Sequence, residues 1–151
     1  MMEVKDIVDI NTIKTNINVK SKEEAIQELA EVLLQNEYIT DIKGFLKDIY
    51  AREAVGQTGI GNYIAIPHGN SHSVKKIGVA IGITQEEIPW ETLDGKGVKG
   101  IILFAVGKEN DGSQQHLKLL SLFARKLGND EVVEKMLKSK DAEDVKDALC
   151  N

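Results

Sequence analysis

The run Gly100-Ile101-Ile102-Leu103-Phe104-Ala105-Val106 contains no polar side chain. A strand with one face in water alternates apolar and polar residues, so an unbroken apolar run needs cover on both faces. Its length and its β-branched and aromatic content mark it as a strand, placed centrally in a sheet. Upstream, Ile77 to Ile83 carries Val79, Ile81 and Ile83 with glycines at 78 and 82, and reads as a second strand. Between the two lie Ile88-Pro89-Trp90 and a turn at Asp94-Gly95.

Further toward the N-terminus, Tyr63 to Ile66 is short and apolar, and Thr58-Gly59-Ile60-Gly61-Asn62 reads as a tight turn. Two helices precede it. Ser21-Lys22-Glu23-Glu24 is a capping box, and the helix it opens puts Ala25, Ile26, Leu29, Ala30, Leu33 and Leu34 on one apolar face. The second helix runs from about Asp41 to Val55 and buries Ile42, Phe45, Leu46, Ile49 and Tyr50. Val4 to Val19 alternates loosely and reads as one or two short strands.

On the C-terminal side the helical period returns at Gln114, with Leu117, Leu119, Leu120, Leu122, Phe123 and Leu127, and ends near Gly128. Helices over Asp130–Leu137 and from about Asp141 to Leu149 follow. The order is strand, two helices, several strands, then three helices. It predicts an α/β fold, a single domain over residues 1–151, with helices covering a mixed β-sheet. The sheet is mixed because two strand connections are too short for parallel crossovers.

Bulk properties narrow the function. A net charge of −5 without a basic run disfavours nucleic acid, whose binding depends on cations that neutralise phosphates. A protein partner with a basic face suits the charge better. The lone cysteine, Cys150, rules out an internal disulfide. No stretch approaches the roughly 20 apolar residues of a membrane span. The start, Met1-Met2-Glu3-Val4-Lys5-Asp6, lacks the pattern of a signal peptide, so a cytoplasmic location is expected.

Histidines occur at 68, 72 and 116. His68 follows Pro67 and precedes Gly69, beyond a strand and outside any helix. Proline fixes the incoming backbone, and Gly69 lets the chain turn without a side chain over the imidazole. A histidine held this way can anchor one ring nitrogen on a backbone carbonyl and offer the other as a nucleophile. The glycine turn at 59–61, folded nearby, can direct N–H groups at an anion. His116 begins a helix, where an imidazole can meet an anion at the positive end of the dipole. A metal site from His68 and His72 needs both on a helix, and Pro67, Gly69 and Asn70 oppose one.

Arg52-Glu53, TGIGNYIAIPHG (58–69), Ile88-Pro89-Trp90, Leu93-Asp94-Gly95, and His116-Leu117 with Leu119-Leu120 stand in this order. Together they resemble the enzyme IIA domain of the bacterial phosphoenolpyruvate-dependent sugar phosphotransferase system, mannitol/fructose type. The resemblance implies a mixed sheet with helices on both sides. It also implies that His68 is phosphorylated on Nε2 by the phosphocarrier HPr and passes the group to a IIB component. His116 corresponds to the family's second active-site histidine, which interacts with the phosphorylated ring. Arg52 corresponds to an arginine near the phosphate, where a planar fork suits phosphate oxygens.

The transfer so implied needs positioning and charge stabilisation rather than a cofactor or metal. A shallow site with an apolar docking rim suits a partner's side chain approaching from the far side. A regulatory paralogue, similar to the nitrogen-related type, uses the same phosphohistidine chemistry to control binding to other proteins. Tyr63 stands where the family often has a small residue and is expected to crowd the approach to the turn. His72 matches no motif of the family.

Overall fold

The computed structural model describes residues 3–107 and 112–150, and the side chains of the second stretch from residue 117 onward. In chain order the elements are a helical turn α1 (Val4–Ile7), a 3-10 turn (Ile10–Thr12), strand β1 (Ile13–Ile17), and helices α2 (Lys22–Gln35) and α3 (Ile42–Glu53). Strands β2 (Gly59–Gly61), β3 (Ile64–Ala65), β4 (Gly78–Ile88) and β5 (Val98–Ala105) follow. Helices α4 (Gly112–Leu127), α5 (Asp130–Leu137) and α6 (Ala142–Cys150) complete the order.

The sheet is five-stranded in the order β1-β4-β5-β3-β2, which places β5 in the middle. It is mixed. The β1/β4 and β3/β5 pairs are parallel, whereas β4/β5 and β2/β3 are antiparallel. Alternate residues of β5 feed two separate cores. Ile101, Leu103 and Ala105 face α2 and α3, packing with Leu29, Phe45 and Ile49. Ile102 and Phe104 face the opposite core, with Phe123, Met136 and Leu149 of α4, α5 and α6. The apolar run of β5 therefore has cover on both faces, as its sequence requires, and helices flank both sides of the sheet.

Local chemistry explains the helix ends. The Ser21 hydroxyl caps α2 by accepting from the Glu24 N–H at 3.2 Å. Glu24 reaches back one residue further than the capping box predicts, taking the Lys20 N–H at 2.9 Å. Leu34, expected on the buried face, is 38% exposed, and Val32 is buried instead. Asp41 caps α3 through the Lys43 N–H. That helix stops at Glu53, two residues before the expected end, and Val55 is 83% exposed.

The N-terminal reading needs correction. Of the one or two strands expected within Val4 to Val19, one is present, Ile13–Ile17, and before it lie α1 and the 3-10 turn, joined by Val8 and Asp9. Val4 and Val8 are both buried while Asp6 between them is exposed, which fits a helical turn and not the face of a strand. The expected tight turn at 58–62 also differs. Gly59–Gly61 is an edge strand, and the chain reverses at Asn62 and Tyr63, both at positive φ (55° and 66°).

Candidate functional site

Strand β3 runs parallel to β5, with Ile64 opposite Gly100 and Ala65 opposite Ile101. The chain leaves β3 through Ile66 and Pro67, and His68 emerges beside the far end of β5. Two backbone hydrogen bonds hold this exit: the Ile66 N–H donates to the Thr58 carbonyl (2.9 Å), and the Phe104 N–H donates to the Pro67 carbonyl (3.1 Å). Gly69 has a different task from the one its place in a turn suggests. A Cβ there would lie 2.9 Å from the Asp48 carbonyl oxygen, so glycine lets this segment press against α3.

The His68 Nδ1 lies 2.6 Å from the Ile66 carbonyl oxygen. A carbonyl only accepts, so this contact places the proton on Nδ1 and the lone pair of the neutral ring on Nε2. The imidazole also meets the Phe104 ring, with centroids 6.3 Å apart and planes inclined at 59°. His68 is only 6% exposed, so the imidazole sits deeper than a shallow surface site implies.

Burial lowers the His68 pKa below 6.5. It outweighs the bond to Ile66, which favours the protonated ring, and the Arg52 charge lowers the pKa further. The unfolded chain therefore takes up this proton first as pH falls. The stability linked to His68 is intact above pH 6.5 and declines below it, until the folded ring also titrates. Urea unfolding between about pH 7.5 and pH 5 should show a steeper acid loss for the wild type than for His68→Asn. Parallel curves would exclude His68 as a source of that loss.

Arg52 lies in the last turn of α3, and its Nη1 donates to the Gly56 carbonyl at 2.8 Å. Its charge is near enough to lower the His68 pKa. His116 belongs to the beginning of α4, which starts two residues before the expected Gln114, and its side chain lies outside the described residues. His72 is exposed while His68 is buried, so the two do not converge.

One expectation about the neighbouring residues changes. The glycines at 59 and 61 lie in an edge strand rather than a turn: β2 is paired with β3, and the Gly59 carbonyl accepts the Leu93 N–H. A Cβ on Gly59 would come within 2.5 Å of the Glu91 carbonyl oxygen, so that glycine serves close packing. Tyr63 precedes β3, whereas His68 follows it. With Asn62, Tyr63 forms the reversal between β2 and β3, and its ring lies 5.6 and 5.4 Å from the Lys96 and Lys99 ammoniums.

Neither composition nor motif singles out Glu53 or Thr58 as an individual residue. Glu53 is only 5% exposed at its side chain and pairs with the Lys22 ammonium at 3.2 Å. The Thr58 hydroxyl donates to the other oxygen of the same carboxylate. A buried carboxylate ending a helix is a signal that becomes visible only once burial is known.

Residues 6–151 match the family described as phosphoenolpyruvate-dependent sugar phosphotransferase system, EIIA 2. The mannitol-specific phosphotransferase enzyme IIA component of Bacillus subtilis is 32% identical over 133 residues, covering 88% of this chain and 89% of that protein. The crystal structure of the nitrogen regulatory protein IIA-Ntr from Neisseria meningitidis superposes with a TM-score of 0.87 at 28% identity, covering 97% of this chain and 98% of that one. The fold is shared with the Escherichia coli enzyme IIAMtl in its complex with phosphorylated enzyme IIBMtl. That match has a TM-score of 0.79 at 21% identity and covers 94% of this chain and 96% of that one. Against EIIABC components the chain spans about a fifth of the relatives' length, 20% and 23% in two cases. No helix among the described residues is long and apolar enough to cross a membrane. A family match that runs from residue 6 to residue 151 takes in the whole sheet and every element around His68, and the chain belongs to the EIIA 2 family of the phosphoenolpyruvate-dependent sugar phosphotransferase system.

Proposed function

We propose that this protein is a cytoplasmic phosphoryl carrier in which His68 accepts a phosphoryl group from phospho-HPr and passes it to a IIB component for sugar uptake. The observation that carries this reading is the 2.6 Å contact between His68 Nδ1 and the Ile66 carbonyl. It commits the lone pair to Nε2, and the lowered pKa keeps the ring neutral near pH 7. The Nε2 lone pair forms the N–P bond as the bond between phosphorus and the donor breaks, roughly in line. Onward transfer reverses those roles, with the acceptor's nucleophile attacking and the imidazole leaving. Arg52 supplies fixed positive charge beside the group, and His116 donates a hydrogen bond to its oxygens when protonated. Val55, exposed two residues past the end of α3, offers an apolar contact to either partner.

Incubation with phosphoenolpyruvate, enzyme I and HPr should load one acid-labile phosphoryl group per chain. No incorporation with an active carrier set would refute the proposal. The similarity to IIA-Ntr favours a second reading, in which the phosphorylation state of His68 controls binding to other proteins. Offering the labelled protein to candidate IIB components separates the two. Transfer supports uptake, whereas a retained label and a partner bound in only one phosphorylation state support regulation.

A further inference from the structure

A chain of contacts leads from the buried Glu53 carboxylate to the reactive ring. The Thr58 hydroxyl donates to Glu53, the Thr58 carbonyl accepts the Ile66 N–H (2.9 Å), and the Ile66 carbonyl receives His68 Nδ1 (2.6 Å). We propose that Glu53 and Thr58 are positioning residues for the His68 imidazole, acting through the backbone groups of Ile66. This inference rests on the phosphoryl-carrier reading for its kinetic consequence, though not for its structural one.

Three features support it. Thr58 is 2% exposed, so its hydroxyl has no water to replace the carboxylate, and its orientation is set by Glu53. Glu53 is itself held by Lys22, which also pairs with Glu91 at 2.7 Å. That arrangement ties the end of α3, the start of α2 and the segment after β4 together at the Lys22 ammonium. Finally, Ile66 is gripped on both sides. Its N–H is bound by Thr58 and its carbonyl by the histidine, so a shift of Thr58 moves the group that selects the tautomer. Buried networks whose members are all satisfied give this kind of rigidity. Glu53 and Thr58 do not touch the reacting atoms. They set where the Ile66 carbonyl points, and the carbonyl sets which nitrogen attacks.

Thr58→Val keeps the shape of the side chain and removes the hydroxyl. The tautomer populations of His68 are read from imidazole nitrogen shifts, and the rate of phosphorylation by phospho-HPr is measured on the same samples. The variant should show a larger share of the Nε2–H tautomer and a phosphorylation rate lower by roughly tenfold, because small misplacements of a reacting group are costly. Thr58→Ser, which retains the hydroxyl, should restore both. If Thr58→Val does not fold, Glu53→Gln takes its place and should shift the tautomers in the same direction. A lower melting temperature with unchanged tautomers would overturn the inference, because it is what a purely structural role gives. An unchanged rate together with unchanged tautomers would overturn it as well. The nitrogen shifts do not depend on phosphorylation. A wild type that takes up no phosphoryl group would therefore defeat the carrier reading and leave the positioning claim to be decided by the spectra.

Discussion

His68→Asn should fold and lose phosphoryl acceptance from phospho-HPr by on the order of a thousandfold or more, since the nucleophile itself is removed. The substitution is chosen for its geometry. An asparagine amide nitrogen can reach the place of Nδ1 and still donate to the Ile66 carbonyl, so the backbone exit from β3 keeps its partner. An amide has no basic lone pair corresponding to Nε2. Labelling with isotopic phosphoenolpyruvate, alongside an amide NMR spectrum to verify the fold, separates lost chemistry from lost structure. Labelling at the wild-type rate would move the phosphorylation site elsewhere. Loss of label in a folded variant assigns it to His68.

Phe104→Ala should destabilise the protein by about 3–5 kcal/mol, the range for truncating a fully buried aromatic residue. Phe104 is fully buried at the end of the central strand, and its ring meets Phe123 edge-on at 5.3 Å. It also contacts the His68 ring. The change therefore opens a cavity at the meeting point of β5, α4 and the candidate site. Because a domain's total stability is of order 5–15 kcal/mol, such a loss shows directly in a urea midpoint. Phe104→Leu retains most of the volume and should cost well under half as much. The Phe104 N–H still donates to Pro67 in either variant, so the backbone path past His68 survives while the ring loses support. A loss under about 1.5 kcal/mol for the alanine variant would mean that the core closes around the gap and that Phe104 is not its keystone.

The helices were legible because their period and caps are local. Ser21, Asp41 and Asn129 each cap the helix that follows them. Strand β5 was legible for the opposite reason, since an apolar run without polar relief has few stable places outside the middle of a covered sheet. The misreadings fall where a short stretch satisfies two periods. Val4, Ile7 and Val8 suit a helical turn as well as a strand edge, and only the helical layer of α4, α5 and α6 decides between them, with Val4 and Val8 buried in that layer. Gly59 and Gly61 looked like a turn because glycine permits turns. Their strand pairs with β3 and is covered on its outer side by Thr92 and Leu93, some thirty residues away in the chain.

The candidate site divides in the same way. Its chemical identity was present in the sequence, in the imidazole of His68 between Pro67 and Gly69, with Arg52-Glu53 upstream and His116 downstream. The helical and strand order that surrounds it could also be read there. Tertiary structure alone decided the depth of the ring, the carbonyl that holds Nδ1, and the path from Glu53 through Thr58 to Ile66. Helical period and capping relate residues within a turn or two. The site joins the end of α3, an edge strand and the exit from β3, and these meet only when the sheet closes.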